Sequence, residues 1–244
     1  MSTERFVYLF GNGLADGHAG MRDLLGGKGA GLAEMTRLGL PVPPGLTIAT
    51  TVCTHYFRQR ALPHGLMDAM RAGLAQVETW AGKRFGDPEN PLLVSVRSGS
   101  RASMPGMMDT ILNLGLNDTT VRGLARGGDR FAWDSFRRFI QMYSSVVLGV
   151  PHDAFEHALE AAKARTGSTL DADLPAAALE ALVSEYKGIV RGATGQPFPT
   201  DPMTQLEGAI LAVFKSWNNP RAVIYRKMEG IPDEWGTAVN VQSM

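Results

Sequence analysis

Between positions 97 and 101 the sequence reads RSGSR, two cations bracketing three small residues. Arginine offers a planar, permanently charged fork that matches phosphate oxygens. Small residues let backbone N–H groups approach a ligand, and glycine can turn successive N–H groups into a concave anion nest. Arg97, Gly99, Ser100 and Arg101 therefore make a device for holding phosphate groups, and Ala102, Ser103 and Gly106 keep the following loop small. Another cation, Lys28, stands in Gly26-Gly27-Lys28-Gly29, at the start of a helical pattern. There its own charge and a helix N-terminus would both attract an anion. Taken alone, the same residues also describe an ordinary surface turn and a solvated lysine. The 26–29 segment is not a P-loop, because Arg22 stands where that motif needs glycine and Gly29 where it needs Ser or Thr.

Leu92 to Val96 is an apolar run that predicts a short buried strand leading into the loop. From Lys28 a helix is predicted to end near Gly39, with Leu32, Met35 and Leu38 marking its buried face. Strands are predicted at 6–10, 46–50 and 237–242, and helices at 51–60, with Thr50 or Thr51 as cap, and at 66–85. The glycine-rich stretch 11–20 carries Asp16 where a dinucleotide loop needs its third glycine, and reads as a plain loop.

From 117 to 199 the pattern is helices and turns without a strand. Ala132, Phe136, Phe139, Tyr143 and Val147 form the apolar stripe of a helix at 131–147, with Asp134, Arg137 and Gln141 facing away from it. The predicted fold class is α/β (α+β), with an α/β part at 1–116 and 200–244 and a helical subdomain inserted at 117–199.

Lys+Arg and Asp+Glu both number 24, so no whole-chain basic field points to nucleic acid. The single cysteine, Cys53, excludes an internal disulfide and suits a reducing compartment. No run of about 18 apolar residues predicts a membrane span, and MSTERFVYLF lacks a signal peptide's apolar region, so the cytoplasm is the expected location. His55 stands alone and His152 and His157 are five apart, which gives no metal-ligand spacing. No pair of carboxylates is placed to hold Mg²⁺.

Four stretches resemble the pyruvate, phosphate dikinase family in that family's order: LLGGKGAGLAEMTRLGLPVPPG at 24–45, VSVRSGSRASMPGMMDTILNLGLN at 94–117, RFAWDSFRRFIQMYSSVV at 130–147 and SWNNPRAVIYRKMEGIPDEWGTAVNVQSM at 216–244. The resemblance implies an ATP-grasp N-terminal lobe with an inserted helical subdomain. It implies that Lys28 and Arg97 contact ATP phosphates and that Gly99, Ser100 and Arg101 shape the loop over the nucleotide. Asp109 and Thr110 continue that loop, as do Met107 and Met108, which are weaker candidates for contact. Gln242 and Met244 would lie on the adenine side. The enzymes resembled interconvert ATP, phosphate and pyruvate with AMP, diphosphate and phosphoenolpyruvate through a phosphohistidine. Here the resemblance implies no catalytic or metal residue within the chain. The phosphocarrier histidine and the Mg²⁺ ligands would lie beyond Met244, where the family's hinge begins, and the whole enzyme would be a homodimer. The chain alone is therefore expected to be catalytically incomplete. Two alternatives stay open at this point: a piece of a phosphoenolpyruvate synthase, against which MPGMMDT speaks, and a free-standing module that senses a nucleotide.

Overall fold

The computed structural model describes residues 5–244. In chain order its elements are β1 (Val7–Gly11), β2 (Leu14–Ala15), α1 (Arg22–Arg37), β3 (Gly45–Ile48), α2 (Thr50–Gln59), α3 (Leu66–Ala81), β4 (Arg84–Phe85), β5 (Pro91–Leu92), β6 (Val94–Gly99) and β7 (Thr110–Leu114), followed by α4 (Thr120–Ala125), α5 (Asp129–Val146), α6 (His152–Thr166), α7 (Ala176–Thr194), α8 (Pro202–Ser216), α9 (Pro220–Met228) and β8 (Ala238–Ser243). The class is mixed α/β with antiparallel strands. The chain divides into two compact units. The first comprises the chain up to Arg84, Val94–Thr110 and Ile210–Met244, and the second Phe85–Leu93 and Ile111–Ala209.

In the first unit the strand order is β2-β1-β3-β8-β6. The last strand of the chain lies between β3 and β6, with Leu46 opposite Val241 and Val96 opposite Val241 on the other side. The central strands are buried along most of their length: all of β3 and the first four residues of β8. That follows from helices on both faces. Side chains alternate along a strand, so Leu46 points to one face and Thr47 to the other. Gly73 of α3 approaches Leu46, Val7 and Leu9, whereas Gly29 of α1 approaches Thr47 and Asn240. The same alternation puts Arg97, paired with Asn240, on the α1 face.

Helix α1 is two helical pieces joined at Gly26, whose φ of 66° and ψ of 174° break the spiral. The second piece starts at Gly27, so Lys28 does stand in a first helical turn. The predicted buried face is different, however. Gly29, Ala30, Ala33 and Thr36 are buried, while Met35 and Leu38 are exposed. The helix lies so close to the sheet that a Cβ at Gly29 would sit 2.7 Å from Thr47 Cγ2. Only small residues fit that contact, and the larger ones are turned out. At α2 the cap is Ala49 without a side-chain bond, because Thr50 Oγ1 donates instead to the Asp23 carbonyl at 2.8 Å.

In the second unit α4, α5, α6 and α7 pack together, with no strand between 115 and 201. Phe136, Phe139 and Tyr143 of the predicted stripe are buried. Arg137 and Gln141 do not face solvent as expected. Arg137 is buried, 2.6 Å from Asp134 and 3.3 Å from Asp171, and Gln141 donates to Glu156 at 2.6 Å. Each polar head has partners that make its burial tolerable. Among the described residues no helix is long and apolar enough to cross a membrane.

Candidate functional site

The break at Gly26 is where the site begins. A Cβ there would overlap the carbonyl of Gly99, so helix α1 and the end of β6 touch backbone to backbone. Gly27 N–H donates to the Ser100 carbonyl at 2.9 Å and ties the start of the second helical piece to the loop. A cleft of about 660 Å³ opens beside this junction, a size that suits a small ligand. Gly27, Lys28 and Arg22 line it from α1, Ser98 from β6, and Ser100 to Gly106 with Met108 and Thr110 from the loop.

Lys28 Nζ donates to the Ser98 carbonyl at 2.9 Å. Partial loss of solvent and then the neighbouring Arg97 guanidinium hold its pKa below the usual lysine value of 10.5. Both effects disfavour a charge that lacks a counter-ion. Arg97 is exposed, and among the described residues no carboxylate pairs with it. Arg101 pairs with Asp23, and its guanidinium carbon lies 4.4 Å from the centre of the Trp235 ring. Arg22, Lys28 and Arg101 thus line one cleft, and Arg97, outside its lining, lies near enough to Lys28 to lower its pKa, so the region can hold a polyanion.

The loop itself is held by the last residue of α8 and the segment after it. Asp109 N–H donates to Ser216 Oγ at 3.4 Å, and its carboxylate accepts from Arg221 at 2.6 Å and from Asn219 at 3.3 Å. Arg221 also donates to the Met107 carbonyl at 3.2 Å, and Tyr225 to the Ser103 carbonyl at 3.4 Å. Met104 is buried with Trp217 and Ala222, and Met107, Met108 and Trp235 pack against that cluster.

Of the residues singled out from the sequence, Lys28, Ser100, Arg101 and Thr110 line the cleft. Gly99 forms its seam with Gly26, and Arg97 stands beside Lys28. Asp109 is engaged by Arg221 and Asn219 rather than turned into the cleft. Gln242 donates to the Pro43 carbonyl at 3.0 Å, and it and the exposed Met244 are outside the cleft lining. Sequence reasoning passed over Arg22, Asp23 and Trp235. A basic residue six positions before Lys28 was a readable signal. The approach of Trp235 to Arg101, 134 positions earlier in the chain, had none. Among the described residues no group of three His, Cys, Asp or Glu could hold a metal ion. The carboxylates at the cleft and its loop, Asp23 and Asp109, are already paired with arginines, so the donor set does not fit Mg²⁺.

A family profile described as "Pyruvate phosphate dikinase, AMP/ATP-binding domain" matches residues 22–81 and 61–244. Pyruvate, phosphate dikinase of Rhizobium meliloti (strain 1021) is 57% identical over 243 residues, covering 98% of this chain and 27% of that protein. The protein of the same name from Clostridium symbiosum is 52% identical over 244 residues, covering 98% of this chain and 28% of its own length. The chloroplastic pyruvate, phosphate dikinase 1 of Oryza sativa subsp. japonica is 53% identical over 245 residues, covering all of this chain and 26% of its own length. The chain thus spans about a quarter of the length of these relatives.

Proposed function

This chain belongs to the pyruvate, phosphate dikinase family, and from that premise we propose that its cleft holds the phosphates of ATP or AMP. The reading is carried by the three cations that line one cleft, Arg22, Lys28 and Arg101, with the Lys28 ammonium fixed on Ser98 and Arg97 near it, outside the lining and without a carboxylate partner. Lys28 and Arg97 are the principal phosphate contacts. Gly99, Ser100, Arg101 and Thr110 shape the phosphate-facing wall, and Asp109 keeps the loop seated through Arg221. Gln242 and Met244 take the adenine side. The fold reads as the N-terminal lobe of an ATP-grasp site in the first compact unit, with the helical second unit as the insertion, its bounds lying at 85–93 and 111–209 rather than at the expected 117–199.

The reaction served is the interconversion of ATP, phosphate and pyruvate with AMP, diphosphate and phosphoenolpyruvate through a phosphohistidine in a homodimer. Its Mg²⁺ ligands and its phosphocarrier histidine would be supplied by other parts of the enzyme. What the residues of this cleft do is bind and orient. A lysine of lowered pKa gains a counter-ion when phosphate arrives, and two arginines add charge-assisted hydrogen bonds. The buried, inert Cys53 suits a reducing compartment such as the cytoplasm.

Calorimetric titration of the 244-residue chain with ATP tests the reading. Each of Lys28→Ala and Arg97→Ala should weaken binding by at least about tenfold, the equivalent of a charge-assisted hydrogen bond worth about 1.5–3 kcal/mol. ATP binding unchanged in Lys28→Ala would refute it.

A further inference from the structure

Arg101 has two neighbours that the nucleotide reading leaves without a role. Its guanidinium lies over Trp235 at 4.4 Å and pairs with the Asp23 carboxylate, while lining the same cleft as Lys28 and Arg22. The two neighbours differ in how firmly they are held. Trp235 packs against the Met104, Trp217 and Ala222 cluster. Two residues earlier, Asp233 is fixed by Arg226 Nε at 2.8 Å and by Trp217 Nε1, which donates to its carbonyl at 2.9 Å. The ring is therefore a rigid platform. Apart from Arg101, Asp23 is anchored through its backbone, where its carbonyl accepts from Thr50 Oγ1, and its side chain is 78% exposed against 28% for Arg101. Separating the pair returns the carboxylate to water at little cost, whereas the guanidinium stays on the indole.

We propose that Trp235 and Asp23 are positioning residues for Arg101: Trp235 fixes the guanidinium at the cleft, and Asp23 is the exchangeable anion that an incoming phosphate group displaces. The proposal rests on the nucleotide-phosphate reading of this cleft. Asp23 then sets affinity. Without ligand, its carboxylate satisfies Arg101. When a polyphosphate binds, that interaction must be given up, so the pair subtracts from the affinity that Arg101 would otherwise supply. An exposed ion pair of this kind corresponds to a factor of roughly two to five in affinity. A cation–π contact near the surface corresponds to a similar factor.

The test is binding of inorganic triphosphate, without metal, to the 244-residue chain, with ATP run alongside. Asp23→Asn should tighten triphosphate binding by about twofold to fivefold, a direction that loss of a purely structural ion pair would not give. The gain should vanish when Arg101→Gln is already present, because there is no guanidinium left to free. Trp235→Leu should weaken binding by about twofold to fivefold, while Trp235→Phe, which keeps a ring beneath the cation, stays within about twofold of the parent. An absent gain in Asp23→Asn, or a gain of equal size in the Arg101→Gln background, overturns the proposal. The second result would show only that a negative charge had been removed near a polyanion. If Lys28→Ala weakens ATP binding and Asp23→Asn has no effect, this inference falls and the nucleotide reading stands. If Lys28→Ala leaves ATP binding unchanged, both fall.

Discussion

Changing either of two glycines in α1 to alanine should have opposite effects. Gly31 lies in regular helix with open space where a Cβ would go. There alanine narrows the unfolded ensemble and should stabilise the first unit by about 0.5–1 kcal/mol. Gly26 holds φ 66° and ψ 174°, and its Cβ would overlap the Gly99 carbonyl. That backbone conformation costs an alanine about 1–3 kcal/mol, and moving the β6 backbone aside adds about 1–3 kcal/mol more. With about 2–4 °C of melting temperature per kcal/mol for a chain of this size, Gly31→Ala should melt higher by about 1–4 °C. Gly26→Ala should melt lower by at least about 4 °C. The second variant should also lose triphosphate binding, because the junction that places Lys28 over Ser98 opens. The first should keep binding unchanged. Thermal unfolding followed by circular dichroism, with calorimetric titration on the same samples, provides both readouts. A Gly26→Ala chain as stable as the parent, or a Gly31→Ala chain that falls with it, would refute the assignment of the kink to close backbone contact.

Two further outcomes follow from charge. Because the pKa of Lys28 is lowered from 10.5 by desolvation and by Arg97, its ammonium is lost at a lower pH than an ordinary lysine's. Triphosphate affinity should therefore decline across the alkaline range below 10.5, and Lys28→Arg should flatten that decline in a pH titration. In the second unit, Arg137→Met removes the buried partner of Asp134. The loss should be about 3 kcal/mol, at the lower end for a broken buried pair, because Arg138 still reaches Asp134 at 3.0 Å. Burial raises the pKa of Asp171, but the Lys163 hydrogen bond and the charge of Arg137 outweigh it, so the net shift is below 3.8. Stability from that depressed pKa is present above 3.8 and is lost as pH falls through the folded value. Without Arg137 the acid unfolding limb should move to higher pH, as measured by fluorescence across a pH series.

Much of the site was legible locally. A strand followed by RSGSR, and a lysine inside GGKG, are short-range patterns whose chemistry depends on residue type. The structure brings Lys28, Ser100, Arg101 and Thr110 to one cleft. The errors came where the deciding partner lies far along the chain. Periodicity favoured Leu32, Met35 and Leu38 as the buried face of α1, since large apolar residues dominate such patterns. The true face is Gly29, Ala30, Ala33 and Thr36, and only the proximity of Thr47 and Asn240 makes smallness the requirement there. Arg137 seemed to belong to the wet side of α5 because Asp171, 34 positions on, could not be foreseen as its partner. The role of Asp109 as a loop anchor was equally hidden, since it depends on Arg221.

The position of β8 has a consequence for how the polypeptide is made. Its residues 238–243 separate β3 from β6, pairing Gly45 with Gln242 on one side and Ser95 with Gln242 on the other. Until those residues leave the ribosome, β3 can pair with β1 on one side only, and its other edge stays open for nearly two hundred positions of synthesis. The second unit, whose helices make short-range contacts, can become ordered in the meantime. Emergence of a single late strand then links the two halves of the first unit's sheet, so the seam between Gly26 and Gly99, and the cleft beside it, can be completed only near the end of this stretch of translation.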